Sequence, residues 1–334
     1  YLNLAIEAAD KLGGPDQIEW LDRLDGDRFN FIEAINLVMR KGDGNTAMRL
    51  CVALYEFWIT RRYVAEGYSL IVAALDLGGD DSHLVAGACV GAGWLGAWCS
   101  DRDKSLEYAE QGLCLYRDLR CDKGIAEAYM AMAMVLCPSN QIRELDYTEK
   151  ALRIWRKLGV GWGIAKCLVF LGMNISRHFQ EPPKEYHRKA ADMLTEALTI
   201  SEAAGNMKAI ASARRALIFH LLLLGEDVSL LRKMAEENMQ LGMRLRDWHF
   251  YGYALLQMGT IEGIEGNLNA AEKHCRNGLD VHFRHVGNRN NIKNGLLCFV
   301  RIKLLRKDYV HSVLLYSVTC RIRKEQRNKT PRLI

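Results

Sequence analysis

A repeat of about 40 residues is the feature of this sequence that most constrains its fold. Six short segments resemble one another, and each ends at a small residue. Those residues are Ala88, Ala128, Cys167, Ala213, Ala254 and Gly295, at successive spacings of 40, 39, 46, 41 and 41. Five residues after each lies a second registered position, held by Gly93, Ala133, Gly172, Ile218, Gly259 and Val300. Four of these six are small, which favours helices that cross closely in a repeat array.

Each repeat also contains a second helical pattern, separated from the first by a turn. The turns are predicted at Asp101-Arg102, Gly225-Glu226, Gly266-Asn267 and Lys307-Asp308. The order helix, turn, helix, turn resembles tetratricopeptide repeats, although the usual period of that family is 34 residues. The resemblance implies an all-α, right-handed superhelical solenoid of antiparallel helix pairs. Pro182 and Pro183 fall within the 46-residue step, so a loop insertion is predicted there.

The composition agrees with a folded helical protein. Hydrophobic residues make up 49% and charged residues 25%, which excludes a disordered chain, and there are only five prolines. The net charge of +5 is concentrated at the C-terminus, since residues 301–334 hold ten Lys or Arg and two acids. Phosphate binding and a polar capping helix are the two interpretations of this tail. Capping is favoured, because terminal repeats need hydrophilic outer faces, and nucleic acid is not an expected partner.

The expected compartment is the cytoplasm. The ten cysteines include no C-x-x-C pair and lie mostly in apolar helical runs, as buried thiols do in a reducing environment. No signal peptide is recognisable, and the uncharged stretch 84–100 contains four glycines and is short for a membrane span. No membrane partner is expected.

The N-terminal block contains a more specific pattern. Its parts are Trp20-Leu21-Asp22-Arg23-Leu24, Asn30-Phe31-Ile32-Glu33-Ala34-Ile35, Gly42-Asp43, a helix ending at Phe57-Trp58, and Glu66-Gly67 before Ala73-Ala74-Leu75. In this order they resemble the segment after the nucleotide-binding and winged-helix modules of STAND-class ATPases, including SARP-type and LuxR-type transcriptional regulators. The chain departs from that pattern at Phe29, where an acid is usual, and at 69–71, where a Trp-Leu pair is common. The resemblance covers the first 80 residues.

The resemblance implies that the chain is the sensor portion of a longer regulatory protein with a tethered nucleotide-binding module. The sequence has no G-x-x-x-x-G-K-[ST] loop, so the ATPase is expected elsewhere. A start at Tyr1 rather than Met is expected of a domain from a longer chain. The alternative is a stand-alone adaptor that joins two proteins. The predicted divisions are an opening helical segment, 1–80, the repeats, 81–310, and a capping helix with the basic tail, 311–334.

No motif in the sequence predicts catalysis or a cofactor. A nucleophile elbow, paired carboxylates in Gly-rich loops and H-E-x-x-H are all missing from it. The strongest metal candidates are His274, Cys275, His282 and His285. His274 and Cys275 would point about 100° apart on a helix, which is unsuited to one zinc ion. Solvated histidines at a helix end are the preferred interpretation, and neither a metal nor an enzyme activity is predicted.

A binding surface is the remaining prediction. In tetratricopeptide arrays the first helix of each pair lines the concave face, where ligands are bound. Alignment of the small positions with that family places seven candidate ligand-binding residues on this face: Trp94, Trp98, Glu127, Lys166, Arg177, Arg215 and Tyr253. Trp94 and Trp98 are expected one turn apart on one helix face. Such a mixture of aromatic and charged groups suits a protein, a peptide or a small signal ligand with an anionic and an apolar part.

Overall fold

In a computed structural model, the described part of the chain is built from helices. The structure describes residues 1–99, 101–137, 139–175, 182–286 and 289–328. Within these ranges there are seventeen α-helices and no strand. The all-α solenoid of antiparallel helix pairs is therefore confirmed. In the same ranges, no helix combines the length and the hydropathy that a bilayer span requires.

The chain divides into two compact units. Unit 1 comprises Tyr1–Pro182 and Asp192–Ile210, and unit 2 comprises Pro183–Ala191 and the chain from Ala211 onward. The first ten helices belong to unit 1: α1 Leu2–Lys11, α2 Gln17–Gly26, α3 Arg28–Arg40, α4 Gly44–Arg61, α5 Val64–Leu77, α6 Ser82–Gly96, α7 Arg102–Asp118, α8 Asp122–Leu136, α9 Gln141–Leu158 and α10 Gly161–Asn174.

Two helices, α11 Lys184–Ala204 and α12 Met207–Leu224, contribute residues to both units. Unit 2 continues with α13 Val228–Arg244, α14 Trp248–Ile264, α15 Leu268–Val281, a π-helical turn His282–Val286, α16 Arg289–Leu305 and α17 Tyr309–Asn328. The six repeat segments fall on α6, α8, α10, α12, α14 and α16, which are the first helices of six successive pairs.

The registered small residues lie where paired helices cross, as the sequence predicts. A Cβ atom on Gly93 of α6 would come 2.9 Å from the Ala109 Cβ of α7. A Cβ on Gly172 of α10 would come 2.7 Å from the Leu194 Cγ of α11. Both distances are shorter than carbon atoms tolerate, so a larger side chain would force the helices apart.

Many of the helices have a polar capping residue at their N-terminus. Asp81 accepts hydrogen bonds from the backbone N–H groups of His83 and Leu84, and Asp101 accepts one from Lys104. Asn140 and Asp247 cap α9 and α14 in the same way. These side chains satisfy backbone donors that a helix leaves unpaired in its first turn.

The N-terminal block of the sequence forms α2 to α5, and its signature residues are structural. Trp20 is buried on α2. The Arg61 guanidinium at the end of α4 forms ion pairs with Asp22 and Asp25, the second at 2.7 Å. Arg28 and Glu66 join α3 to α5 at 2.6 Å. The W-L-D-x-L and E-G elements are thus explained by contacts among the first five helices.

The C-terminal helix α17 differs from the predicted polar cap. The side chains of Val310, Val313 and Leu314 are 71%, 67% and 57% exposed, whereas Ser312 and Thr319 are buried. The physical reason is that the packed side of α17 combines buried Ser312 and Thr319 with half-buried Leu315 and Ile322, so that other apolar side chains remain on the outer side. The side chains from 323 onward, which hold much of the basic tail, lie outside the described residues.

Candidate functional site

Four ionisable side chains from different helices come together in unit 1. They are Glu56 of α4, Glu127 of α8, Lys166 of α10 and Lys208 of α12, which together are called the charged cluster below. All four are half-buried. Lys166 interacts electrostatically with both carboxylates, and Glu56 interacts with Lys208 and Glu127. Two acidic and two basic side chains from four helices therefore lie close together.

Glu56 and Lys208 form a closed ion pair. The Lys208 Nζ lies 3.2 Å from the Glu56 Oε1 and donates a hydrogen bond of 2.9 Å to the Thr60 Oγ1. Burial acts to raise the pKa of Glu56, but Lys208 and Lys166 outweigh it, so that this pKa is lowered. Burial also lowers the pKa of Lys208. The Glu56 carboxylate raises this pKa in part, whereas the positive charges of Arg62 and Lys166 lower it further. Each member of the pair keeps the other ionised.

Glu127 and Lys166 differ from that pair, because their charged groups do not touch. The Lys166 Nζ lies 3.9 Å from the centre of the Trp94 ring, a cation–π contact. Among the described residues, neither Lys166 nor Glu127 has a hydrogen-bond partner or an ion-pair partner within 4.0 Å. Burial raises the pKa of Glu127; Lys123 and Lys166 oppose this effect, and Glu56 adds to it. The carboxyl of Glu127 and the ammonium of Lys166 are thus available to a bound group.

An exposed tryptophan lies next to a further cation of unit 1. Arg62 follows α4 with φ of +65°, the left-handed conformation, and its guanidinium lies 4.9 Å from the centre of the Trp98 ring. Trp98 is 40% exposed. Because Arg62 also lowers the pKa of Lys208, the aromatic ring and the charged cluster are linked through this side chain.

The structure brings four of the seven predicted site residues into unit 1: Trp94, Trp98, Glu127 and Lys166. The expectation that both tryptophans share a helix face is wrong, since α6 ends at Gly96 and Trp98 lies beyond it. Trp94 is only 4% exposed and packs in the core beneath Lys166. A ligand therefore has access to Trp98 rather than to Trp94.

Two other predicted residues form a pair in unit 2. The Arg215 guanidinium lies 4.9 Å from the centre of the Tyr253 ring. The Tyr253 hydroxyl donates to the Asn291 Oδ1 at 3.0 Å and accepts from Asn294 at 2.9 Å. Arg177 lies outside the described residues. The concave face as a single site made of all seven residues stays a prediction.

Glu56 and Lys208 are candidate functional-site residues that the sequence did not predict. Lys208 lies four residues, one helical turn, before Ser212, which the repeat register places at the same level as Glu127 and Lys166. That spacing could have revealed it. Glu56 precedes the regular repeats, and the only signal is a carboxylate within the buried run Leu54, Phe57 and Trp58.

Of the histidines considered for metal binding, His285 is exposed at a helix end as predicted, whereas His282 is not. His282 is fully buried rather than solvated, since its ring packs 4.8 Å from the Tyr253 ring and beside Gly252. His285 stacks on Trp248 at 4.8 Å. In the part of the chain that the structure describes, no three His, Cys, Asp or Glu side chains converge as metal ligands would.

Comparison with known proteins identifies the fold. The apo form of RapI is 13% identical and matches with a TM-score of 0.63 over 84% of this chain and 99% of RapI. A Rap protein in complex with competence and sporulation factor is 12% identical and matches with a TM-score of 0.66 over 94% of this chain and 82% of the other. Aspartyl phosphate phosphatase F from Bacillus subtilis is 10% identical, with a TM-score of 0.64 over 86% of this chain and 74% of that one.

These likenesses show a tetratricopeptide-like helical repeat fold. At identities of 10–13% they carry the architecture and not the activity. No protein-family model matches the chain, and no curated protein matches it by sequence.

Proposed function

We propose that this chain is a non-catalytic binding module of a regulatory protein, and that the charged cluster of unit 1 binds a peptide or a peptide segment of a partner protein. One observation carries the proposal: Glu127 and Lys166 are half-buried, lie on neighbouring first helices, and have no bonded partner among the described residues. A folded protein gains little from holding two such groups unpaired, since an unmade hydrogen bond to a buried charge is costly. A ligand that pairs with them would remove this cost.

The surroundings of the charged cluster favour a peptide over a small apolar molecule. Trp98 offers an exposed ring, and Arg62 adds positive charge beside it. Aromatic anchors beside charged groups are typical of surfaces that bind polypeptides. A protein of the same fold has been solved with the competence and sporulation factor bound. That complex supports a ligand-binding role for the fold.

The finer part of the proposal is that the module is the sensor of a STAND-type ATPase. Its support is the N-terminal block, which folds into α2 to α5 as one packed element through the contacts of Arg61 and Arg28. The genomic sequence upstream of the Tyr1 codon tests it directly. A G-x-x-x-x-G-K-[ST] loop in the same reading frame is expected. An upstream stop codon close to Tyr1 would favour the stand-alone adaptor, which would use the same binding surface without a switch.

Selection of peptides from a displayed library of random heptapeptides tests the binding role. Three proteins are compared: the parent, Lys166→Met and Lys150→Met. Methionine keeps an apolar stem over Trp94 while it removes the charge, and Lys150 is an exposed control on α9 that pairs with Asp146. Helical content and melting temperature are measured for each.

The parent and Lys150→Met are expected to enrich the same peptides, and folded Lys166→Met is expected to lose them. Enrichment of the same peptides by Lys166→Met would place the binding surface elsewhere. A parent that enriches no peptide would refute the proposed function.

A further inference from the structure

We infer that the charged cluster selects a peptide segment that carries both an anionic and a cationic side chain, with the anion at Lys166 and the cation at Glu127. This inference rests on the proposed function and names the chemistry of its ligand. It starts from the contrast between the two acid–base pairs of the cluster. Glu56 and Lys208 are in direct contact at 3.2 Å, whereas Glu127 and Lys166 attract each other without an ion-pair contact.

The closed pair leaves little capacity for a ligand. The Lys208 ammonium already contacts the Glu56 carboxylate and the Thr60 hydroxyl, and the two charges cancel. Opening this pair would expose two half-buried charges in order to form one new contact with the ligand, so the exchange has no net gain. A ligand is therefore expected to leave Glu56 and Lys208 in place.

The open pair has the opposite property. Lys166 is held over the Trp94 ring at 3.9 Å, which fixes its ammonium while three donor positions remain free of protein acceptors in the described structure. Glu127 has acceptor oxygens that no described donor reaches. A ligand that supplies only an anion would satisfy Lys166 and leave Glu127 unpaired beside the new negative charge. A ligand with both charges satisfies both groups.

The groups around Glu127 support a cation at that position. Lys123 on its own helix and Lys166 on α10 lower its pKa, but burial and the negative charge of Glu56 on α4 prevail, so that the pKa is raised. Tyr55 and Tyr116, from α4 and α7, also interact with this carboxylate. Glu56 is already in contact with Lys208, whereas neither Lys123 nor Lys166 forms an ion pair with the Glu127 carboxylate. A ligand guanidinium or ammonium would supply the missing charge.

The test uses four pools of heptapeptides with blocked termini, so that all charge comes from side chains. Every pool has the same apolar residues at five positions. The remaining two positions hold Gln and Asn, two Glu, two Arg, or one Arg with one Glu. Dissociation constants are measured for the parent, Lys166→Met, Glu127→Gln and the exposed control Lys150→Met, after a check that each variant melts as the parent does.

The mixed pool is expected to bind the parent at least about tenfold more tightly than the neutral pool, as one good charge-assisted contact provides. In Lys166→Met, a Glu in the peptide should no longer tighten binding relative to the neutral pool, whereas an Arg should still do so. Glu127→Gln should do the reverse. The charge assignment would be overturned if the parent bound all pools equally, or if either variant lost the same affinity for every pool. Either result would leave peptide binding intact. Failure of the parent to bind any pool would overturn both.

Discussion

At the scale of single residues, the charged cluster contains one closed ion pair, Glu56 and Lys208, and one open acid–base pair, Glu127 and Lys166. Glu127 and Lys166 occupy the same place in successive repeats, and both are half-buried in the charged cluster. The sequence could not show that their charges remain apart, because that separation depends on the contact between Lys166 and Trp94. It also could not show that His282 is buried, since its neighbours come from α14.

A first prediction concerns Lys208→Met. It leaves the Glu56 carboxylate half-buried without its partner, so the free energy of unfolding should fall by about 1–3 kcal/mol. Urea titration at neutral pH measures the change. Lys150→Met removes an exposed lysine from an i,i+4 pair and should change stability by less than about 0.5 kcal/mol. Equal effects of the two variants would show that the Glu56–Lys208 pair contributes nothing specific.

A second prediction concerns Glu127→Gln. The raised pKa of Glu127 means that the folded state holds a proton more tightly than the unfolded state does. The contribution of Glu127 to the free energy of unfolding is therefore largest below the ordinary carboxyl pKa. This contribution is lost as the pH rises through the raised pKa of Glu127. The glutamine variant should be at least as stable as the parent at pH 7, and its stability should depend less on pH above pH 4.5. A variant clearly less stable than the parent at pH 7 would contradict the assignment.

A third prediction concerns two buried histidines of unit 2. The His187 Nδ1 lies 2.9 Å from the His220 Nδ1, so at least one ring must be neutral to accept the hydrogen bond. Burial lowers the pKa of His187 below its ordinary value of 6.5. The folded state then binds fewer protons than the unfolded state, and stability present above pH 6.5 is lost as pH falls through the lowered pKa.

Urea midpoints are expected to fall between pH 7 and pH 5, and His187→Gln should reduce that fall. The exposed His83, replaced in the same way, serves as the control. If both variants follow the parent's pH dependence, the buried pair does not cause the loss of stability in acid.

At the scale of elements, small residues at regular spacing allowed the helix pairs to be predicted from sequence. The anchors fall on the first helices of six successive pairs, and Gly93 and Gly172 lie where the partner helix leaves no room for a larger side chain. The polarity of α17 could not be predicted in the same way. Its basic residues suggested a solvated cap, but its helix packs through Ser312 and Thr319 and leaves Val310 and Val313 exposed.

A fourth prediction belongs to this scale. Gly172→Leu should destabilise the α10–α11 contact by about 1–3 kcal/mol, because even a Cβ atom there would lie 2.7 Å from the Leu194 Cγ. Gly26→Leu, at a position with no atom within 4 Å of an added Cβ, is the matched control and should have a much smaller effect. Denaturant midpoints compare the two. Parent-like stability of Gly172→Leu would show that the helix register is incorrect.

At the scale of the whole molecule, the described chain consists of two helical-repeat units, and the predicted site residues are divided between them. The charged cluster belongs to unit 1 alone, while Arg215 and Tyr253 form their own pair in unit 2. We therefore propose ligand binding to unit 1 alone, through Lys166, Glu127 and Trp98. The N-terminal block that resembles STAND proteins folds within that same unit.

We propose that the open acid–base pair of unit 1, Glu127 and Lys166, binds the ligand. The most direct test is the dissociation constant of one peptide selected by the parent chain, measured by titration calorimetry with the parent, Lys166→Met and Lys150→Met. Loss of the Lys166 charge is expected to weaken binding at least about tenfold, while loss of the exposed Lys150 charge leaves it within about twofold. Equal dissociation constants for all three proteins would contradict the claim.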